Sequence, residues 1–339
     1  MKLLQKILFP FSLVYGSVAA LRNYFFDKGW LKSQSYDLPV ICVGNLSTGG
    51  TGKSPMVEYL IGLLQKDYRV GVLSRGYKRT TRGYMEVVSS NTAREVGDEP
   101  LQFKQNFPNA LVAVCEDRRK GIEKLKLNVD VILLDDAFQH RRVQASTSLL
   151  LTPFNDLYTT DYVLPAGNLR EFRKGAKRAD IIVVTKCPEG VAYAELQEIE
   201  RNLSLLEYQK LYFSKIGYDE LIYGPSETLS IAYLQDKAFT LVTGIANPKP
   251  LIHFLHRKEF KFEHIKYPDH HDFSDSEIKK LKKNELILTT EKDYVRLQPK
   301  LGKFAIYYLP IKTLILKEQE VFFKKTILKR VRDFRFNRD

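Results

Sequence analysis

Cysteine is scarce in this 339-residue chain: only Cys42, Cys115 and Cys187 occur, far apart and in no C-x-x-C spacing. That excludes a disulfide framework and a structural zinc site, and predicts a reducing compartment. No run approaches the about 20 consecutive apolar residues that a helix needs to cross a bilayer. Internal repeats, low-complexity tracts and collagen-like glycine periods are absent too, which excludes solenoid, disordered and fibrous classes. Acidic residues are outnumbered 40 to 53, and a net charge of +13 calls for nucleic acid, anionic lipid or a phosphorylated substrate. No basic stripe with interleaved aromatics of the kind that binds single strands is present, so no nucleic-acid partner is expected. The basic residues near the C-terminus, Lys324, Lys325, Lys329, Arg330, Arg332, Arg335 and Arg338, read as a solvated helix face and tail.

What is present suffices for a large core, since 44% of residues are hydrophobic. Residues Ile7 to Leu21 form an uncharged apolar stretch with Lys2 and Lys6 before it and Arg22 after it. The stretch is short for a bilayer span, and Pro10 weakens its first turns. A signal peptide has a similar layout, but Arg22-Asn23-Tyr24-Phe25-Phe26 continues a helical, aromatic pattern. A helix lying in the membrane interface accounts for both features, with a docked core helix as the plain alternative.

From Leu38 to about Leu309 apolar runs alternate with amphipathic stretches. Strand-like runs fall at 40–43, 70–73, 111–114, 129–134, 148–151 and 181–184, with helical segments such as 55–65, 100–105 and 118–125 between them. This is the pattern of βαβ units and a parallel sheet covered on both faces. A second set of strands (239–242, 260–266, 286–288, 304–308) and helices (248–256, 275–282) follows, and the turn-rich stretch 217–228 reads as a linker. The expected architecture is therefore α/β: a membrane-associated helix over 1–30, a nucleotide-binding parallel-sheet core over 31–216, and a smaller α/β lobe over 217–339 ending in a basic helix.

The strongest local signal begins at Val43-Gly44-Asn45-Leu46 and runs through Ser47-Thr48-Gly49-Gly50-Thr51-Gly52-Lys53-Ser54-Pro55. An apolar strand enters a glycine-rich loop whose N–H groups can turn onto phosphate oxygens, and Gly-Lys-Ser opens a helix whose N-terminus adds positive potential. Lys53 is placed to reach the β- and γ-phosphates, the Ser54 hydroxyl suits Mg²⁺, and Pro55 fits an early helical position. The usual leading glycine is replaced by Ser47. A second core strand, 129–134, ends in Asp135-Asp136, where a carboxylate beside a phosphate loop holds Mg²⁺ directly or through water; the residues leave open which of the two faces the metal. Guanine recognition is not expected, because Thr185-Lys186-Cys187-Pro188 lacks the aspartate of N-K-x-D.

Kinase chemistry needs a base near an acceptor hydroxyl. Asp98-Glu99 in Gly97-Asp98-Glu99-Pro100 offers two acids at a helix start, where acids also serve simply to complement the helix dipole. His270-His271, between Asp269 and Asp272, precedes the capping box Ser274-x-x-Glu277. His253 and His256 read as ordinary helix residues. Arg75, Arg118, Arg119 and Arg170 are candidates for gripping a phosphate through their planar donor forks, with surface ion pairing as the alternative.

These segments, with Leu73-Ser74-Arg75-Gly76-Tyr77, Leu134 to His140, Leu164-Pro165-Ala166-Gly167-Asn168-Leu169-Arg170-Glu171, Gly244 to Pro248 and Thr289-Thr290-Glu291-Lys292-Asp293, resemble the tetraacyldisaccharide 4′-kinase family over nearly the whole chain. The family's loop also lacks the leading glycine; Ser54 where threonine is usual and Asn168 in the P-A-G-x-L-R-E segment are mild departures. The resemblance implies ATP and Mg²⁺ as cofactors and transfer of the γ-phosphate to the 4′-hydroxyl of tetraacyldisaccharide 1-phosphate, giving lipid IVA. It also implies Asp98 as general base, His270 pairing with it and Asp269 supporting, with Ser54, Glu99, Asp135 and Asp136 as magnesium and water ligands. A four-chain lipid substrate implies work at an anionic membrane, on the cytoplasmic face of the inner membrane of a Gram-negative bacterium, with no obligate protein partner. The alternatives are a membrane-associated P-loop ATPase acting on a protein, and a kinase with a soluble acceptor.

Overall fold

The structure, a computed structural model, describes residues 3–269 and 271–336. Its first element is the helix α1 (Leu3–Asp27), which continues through Pro10. The large sheet is then laid down by β1 (Val40–Asn45), β2 (Val70–Ser74), β3 (Met85–Glu86), β4 (Leu111–Val114), β5 (Val131–Asp135), β6 (Thr147–Pro153), β7 (Ile181–Thr185) and β8 (Lys210–Tyr218). Between these strands run α2 (Lys53–Leu64), α3 (Ala93–Val96), α4 (Asp98–Asn106), α5 (Arg118–Leu125) and α6 (Tyr193–Leu203). β1, β2, β5 and β7 are buried at every residue, as continuous apolar runs demand when a parallel sheet is covered on both faces.

The second sheet contains β9 (Leu221–Tyr223), β10 (Thr228–Ser230), β11 (Phe239–Thr243), β12 (Phe262–Lys266), β13 (Ile287–Thr290) and β14 (Ile306–Leu309), with α7 (Lys249–Arg257), α8 (Asp275–Leu281) and α9 (Glu291–Leu301) on its faces. The stretch 217–228 is thus not a plain linker: it closes β8 and supplies β9 and the start of β10, which pair antiparallel on the sheet edge.

Beyond Leu309 the chain returns to the first lobe. β15 (Ile311–Ile315) pairs antiparallel with β8, completing a nine-stranded order β15-β8-β7-β6-β1-β5-β2-β4-β3. α10 (Lys317–Phe336) buries Phe323, Ile327 and Val331 in the same apolar cluster as Met56, Leu60 and Leu64 of α2. The smaller lobe expected over 217–339 therefore closes near residue 309, because the apolar face of the basic helix has its partner on the core sheet.

Within the large sheet β1 lies between β6 and β5, so the loop after β1 opens at the point where the strand order turns. Ligands of open α/β sheets bind at that crevice, beyond the carboxyl ends of the strands.

Candidate active site

Parallel pairing of β1 with β5 sets Val43 beside Asp135, so the phosphate loop and the Asp135-Asp136 pair leave neighbouring strands at the same height. Thr48, Gly49 and Gly50 are exposed, while the loop's base is tied down: Asn45 Nδ2 donates to Thr51 Oγ1 at 2.9 Å and Thr185 Oγ1 to the Thr51 carbonyl at 2.7 Å. Gly52 caps α2 at φ 88°, a left-handed conformation that favours glycine. The segment containing Asn168 and Arg170 flanks the loop, with Thr48 N donating to Asn168 O and Arg170 N to Leu46 O, both at 2.7 Å.

Lys53 Nζ stands 3.6 Å from Asp136 Oδ1, and Arg170 Nη1 3.1 Å from the same oxygen. Burial opposes ionisation of Asp136, but Lys53 and Arg170 outweigh it and hold the carboxyl below its ordinary range. Asp135 differs. It is buried, accepts from Ser74 Oγ at 2.9 Å, and is pushed up to about 6 by burial first and then by the charges of Asp136 and Glu99. A divalent cation would relieve that crowding, and the hard oxygens of Ser54, Asp135, Asp136 and Glu99 suit Mg²⁺. Among the described residues no three histidine, cysteine or acidic side chains converge into a protein-only cage.

The other acids are held from the smaller lobe. Gly97, at φ 93°, brings the start of α4 against the backbone of Gly76, where a Cβ would sit 3.2 Å from Gly76 Cα. Asp98 and Glu99 follow in the first turn. Lys292 of α9 donates to Glu99 at 2.6 Å; burial disfavours the Glu99 charge, yet Lys292 pulls its pKa below the usual value. Arg296, one turn further along α9, clasps Asp98 through both carboxylate oxygens, Nε donating to Oδ1 at 2.8 Å. Arg296 Nη1 also reaches the His271 carbonyl at 3.5 Å, which brings the loop carrying Asp269 to the same place. His270, expected to pair with Asp98, lies outside the described residues.

Of the candidate arginines, Arg170 reaches Asp136, and Arg118 is buried at the start of α5 with Nη2 3.3 Å from the Asp135 carbonyl. Arg118 Nε has no hydrogen-bond partner among the described residues. Arg75 is exposed at the end of β2, near enough to oppose the charge of Arg118. Arg119 instead forms a bidentate pair with Asp117, the N-cap of its own helix, which leaves it stabilising α5. Sequence reasoning gave no role to Lys292, Arg296 or His140. Lys292 carried a usable signal: a lysine in a helix's first turn opposes the dipole and needs a carboxylate partner. His140, pushed down to about 4 by burial and then by Arg118, presents a neutral ring beside these arginines.

The end of α1 is fastened to the site. Arg22 Nη2 donates to Gln139 O at 3.0 Å and Asn23 Nδ2 to Glu171 Oε2 at 2.6 Å, while Gln139 Nε2 bonds Asn45 O at 2.8 Å. Ser12 accepts from Ala166 N at 2.8 Å, and Gly16 packs so closely on Phe172 that a Cβ would fall 2.5 Å from its ring. Around Ser12 and Gly16 the docked face of α1 is small, with Phe9 against Tyr162 and Phe26 buried at its two ends, and Phe11, Val14 and Val18 point outward with 63 to 67% of their surface exposed. No described helix is long and apolar enough to cross a membrane.

A phosphate loop at the sheet's crevice, a strand-end acid pair and a second acid pair clamped from the facing lobe define a P-loop phosphotransferase. The comparisons with known proteins specify the kind. The chain belongs to the tetraacyldisaccharide-1-P 4′-kinase family, whose description matches residues 4–332. It is 48% identical to the tetraacyldisaccharide 4′-kinase of Flavobacterium johnsoniae over 95% of this chain and 96% of that one. To the enzyme of the same name from Bacteroides thetaiotaomicron it is 43% identical over 97% and 94%. It is also similar to a crystal structure of LpxK from Aquifex aeolicus in complex with ATP, at TM-score 0.79 and 32% identity over 97% of this chain and all of that one. The α/β architecture with a P-loop core is that of this family.

Proposed function

We propose that the protein transfers the γ-phosphate of MgATP to the 4′-hydroxyl of a membrane-held tetraacyldisaccharide 1-phosphate, yielding lipid IVA. The observation that carries this reading is the convergence of two lobes on one crevice. Lys292 and Arg296 of the smaller lobe hold Glu99 and Asp98, and the charge of Lys292 also acts on Asp135 beside the phosphate loop.

The loop amides and Lys53 receive the nucleotide's phosphates, and Arg170 sits beside Lys53 where charge builds up during transfer. Ser54, Glu99, Asp135 and Asp136 would hold magnesium, which would supply positive charge to offset that of the phosphates. Asp98, oriented by the two nitrogens of Arg296, accepts the proton of the attacking hydroxyl as the oxygen bonds to phosphorus and ADP leaves. By resemblance to the family, Asp269 and His270 support that proton transfer. A loose transition state asks mainly for alignment of the hydroxyl, which a fixed carboxylate supplies. Arg75, exposed beside Arg118 and the neutral His140, is suited to the substrate's 1-phosphate, with the buried Arg118 adding positive charge from beneath.

The docking of α1 supports the membrane partner, and the need for MgATP fits a peripheral position on the cytoplasmic face of the inner membrane. A helix that turns Phe11, Val14 and Val18 to solvent while its middle docks through Ser12 and Gly16 leaves an exposed apolar face unlike that of a core helix. Its apolar face suits the acyl-chain boundary, and the +13 charge suits an anionic surface.

The test is transfer of labelled γ-phosphate to tetraacyldisaccharide 1-phosphate in detergent, beside Lys53→Ala and Asp98→Asn. Transfer is expected to vanish in the first and to fall about 10²- to 10⁴-fold in the second with ATP affinity kept. ATP hydrolysis that needs no lipid and survives Asp98→Asn would instead favour an ATPase acting on a protein partner.

A further inference from the structure

Behind the reacting acids, three helices meet on a polar network that the transfer does not use. Glu58 of α2 and Glu291 at the start of α9 are both buried, at 9% and 6% exposure. Gln102 of α4 donates Nε2 to Glu58 Oε1 and to Glu291 Oε2, at 2.9 Å each. Asn106, one turn later, donates Nδ2 to Glu58 Oε1 at 2.9 Å and also to Glu291 Oε1. Each amide nitrogen therefore straddles both carboxylates. Gln102 Oε1 is buried with no partner among the described residues.

Two carboxylates fastened to the same donors resist double ionisation. Burial raises both groups, and the charge of Glu58 raises Glu291 further. Lys292 works the other way on both. The remaining groups facing the pair are Asp219, itself paired with Lys312 at 2.6 Å, and the hydroxyls of Tyr223 and Tyr308. None supplies a second positive charge in contact with the pair.

We propose that Glu58 and Glu291 hold one proton between them and act, through Gln102 and Asn106, as positioning residues for Asp98 and Glu99. The spacing carries the argument. Gln102 and Asn106 lie four and eight residues after Asp98, on one face of α4. Glu58 lies one turn after Ser54 on the phosphate-loop helix, and Glu291 directly precedes Lys292. A single network thus references the acids to the phosphate loop and to the lobe that holds them. Loss of the shared proton sets two like charges together and loosens α4. The inference rests on Asp98 and Glu99 facing the transferred phosphate.

Glu58→Gln and Glu291→Gln replace one acid by a neutral isostere of its protonated form. Melting temperature and lipid-kinase kcat and KM are followed from about pH 6 to about pH 9 beside the unaltered protein. The unfolded chain gives up the proton at lower pH than the folded pair, so stability of the unaltered protein falls as pH climbs through the raised values. Each variant is expected to flatten that fall, to keep kcat within about twofold at the acidic end, and to lose the alkaline decline in kcat with KM for ATP unmoved.

Melting profiles that parallel the unaltered protein overturn the shared proton, whatever reaction the protein catalyses. Flattened melting profiles with an unchanged alkaline limb of kcat overturn the positioning role. Unfolding of both variants at the acidic end, or an equal loss of kcat at every pH, overturns the proposal as well. An Asp98→Asn control with full activity would remove the site reading, and the positioning role with it, leaving the melting profiles to judge the proton alone.

Discussion

Removing Lys292 tests whether the two lobes are joined through the acids at the start of α4. In Lys292→Met the Glu99 carboxylate, 18% exposed, loses an ammonium at 2.6 Å that is itself 34% exposed. Breaking a fully buried pair costs about 3–5 kcal/mol and an exposed one about 0–1, so a pair this open falls between, at about 2 kcal/mol. With about 2.1 cal/mol/K of unfolding entropy per residue over 339 residues, that is a fall of about 3 °C in melting temperature. The sign with pH follows from Glu99, whose pKa Lys292 depresses against the opposing effect of burial. The pair stabilises the fold above the ordinary carboxylate range and stops doing so as pH falls through the folded value, so the variant's deficit should shrink on acidification. The assay is a thermal and urea double-mutant cycle with Glu99→Gln, which removes the charge the lysine serves. A coupling of about 1–2 kcal/mol is expected. Additivity within about 0.3 kcal/mol, or a deficit that grows as pH falls, would refute the reasoning.

Three further outcomes follow from the same geometry. Asp135, pushed up to about 6 chiefly by burial, should bind a divalent cation less well as pH falls below that value, with proton uptake on cation release measured by calorimetry in two buffers; affinity flat from pH 5 to 8 would count against Asp135 as a ligand. Changing Phe11, Val14 and Val18 to aspartate should cut partition onto anionic vesicles by about 10³-fold, since each exposed side chain contributes somewhat over 1 kcal/mol when buried. Unchanged sedimentation with vesicles would remove α1 as the anchor. Arg119→Ala should lower stability by about 0.5 kcal/mol without altering KM for the lipid, because its guanidinium serves Asp117 at the cap of α5; a raised lipid KM would return Arg119 to the substrate site.

Local signals were enough for the phosphate loop and for the parallel core. Glycine spacing, a lysine and a hydroxyl at a helix start, and unbroken apolar strands each act over a few residues, so Ser47–Ser54 and Asp135-Asp136 could be read along the chain. The alternation of apolar and amphipathic runs likewise determined an α/β sheet with a second lobe. Tertiary structure alone decided what meets what. Arg296 reaches Asp98 across 198 positions and Lys292 reaches Glu99 across 193, and no sequence periodicity encodes contacts at that separation. The C-terminal helix read as a solvated basic face, because its charges outnumber the residues Phe323, Ile327 and Val331 that carry it back onto α2. α1 makes the same point in reverse. Composition marked it as apolar, but only its docking through Ser12 and Gly16 determined that Phe11, Val14 and Val18 face outward, since the direction of a helix face depends on the surface it packs against.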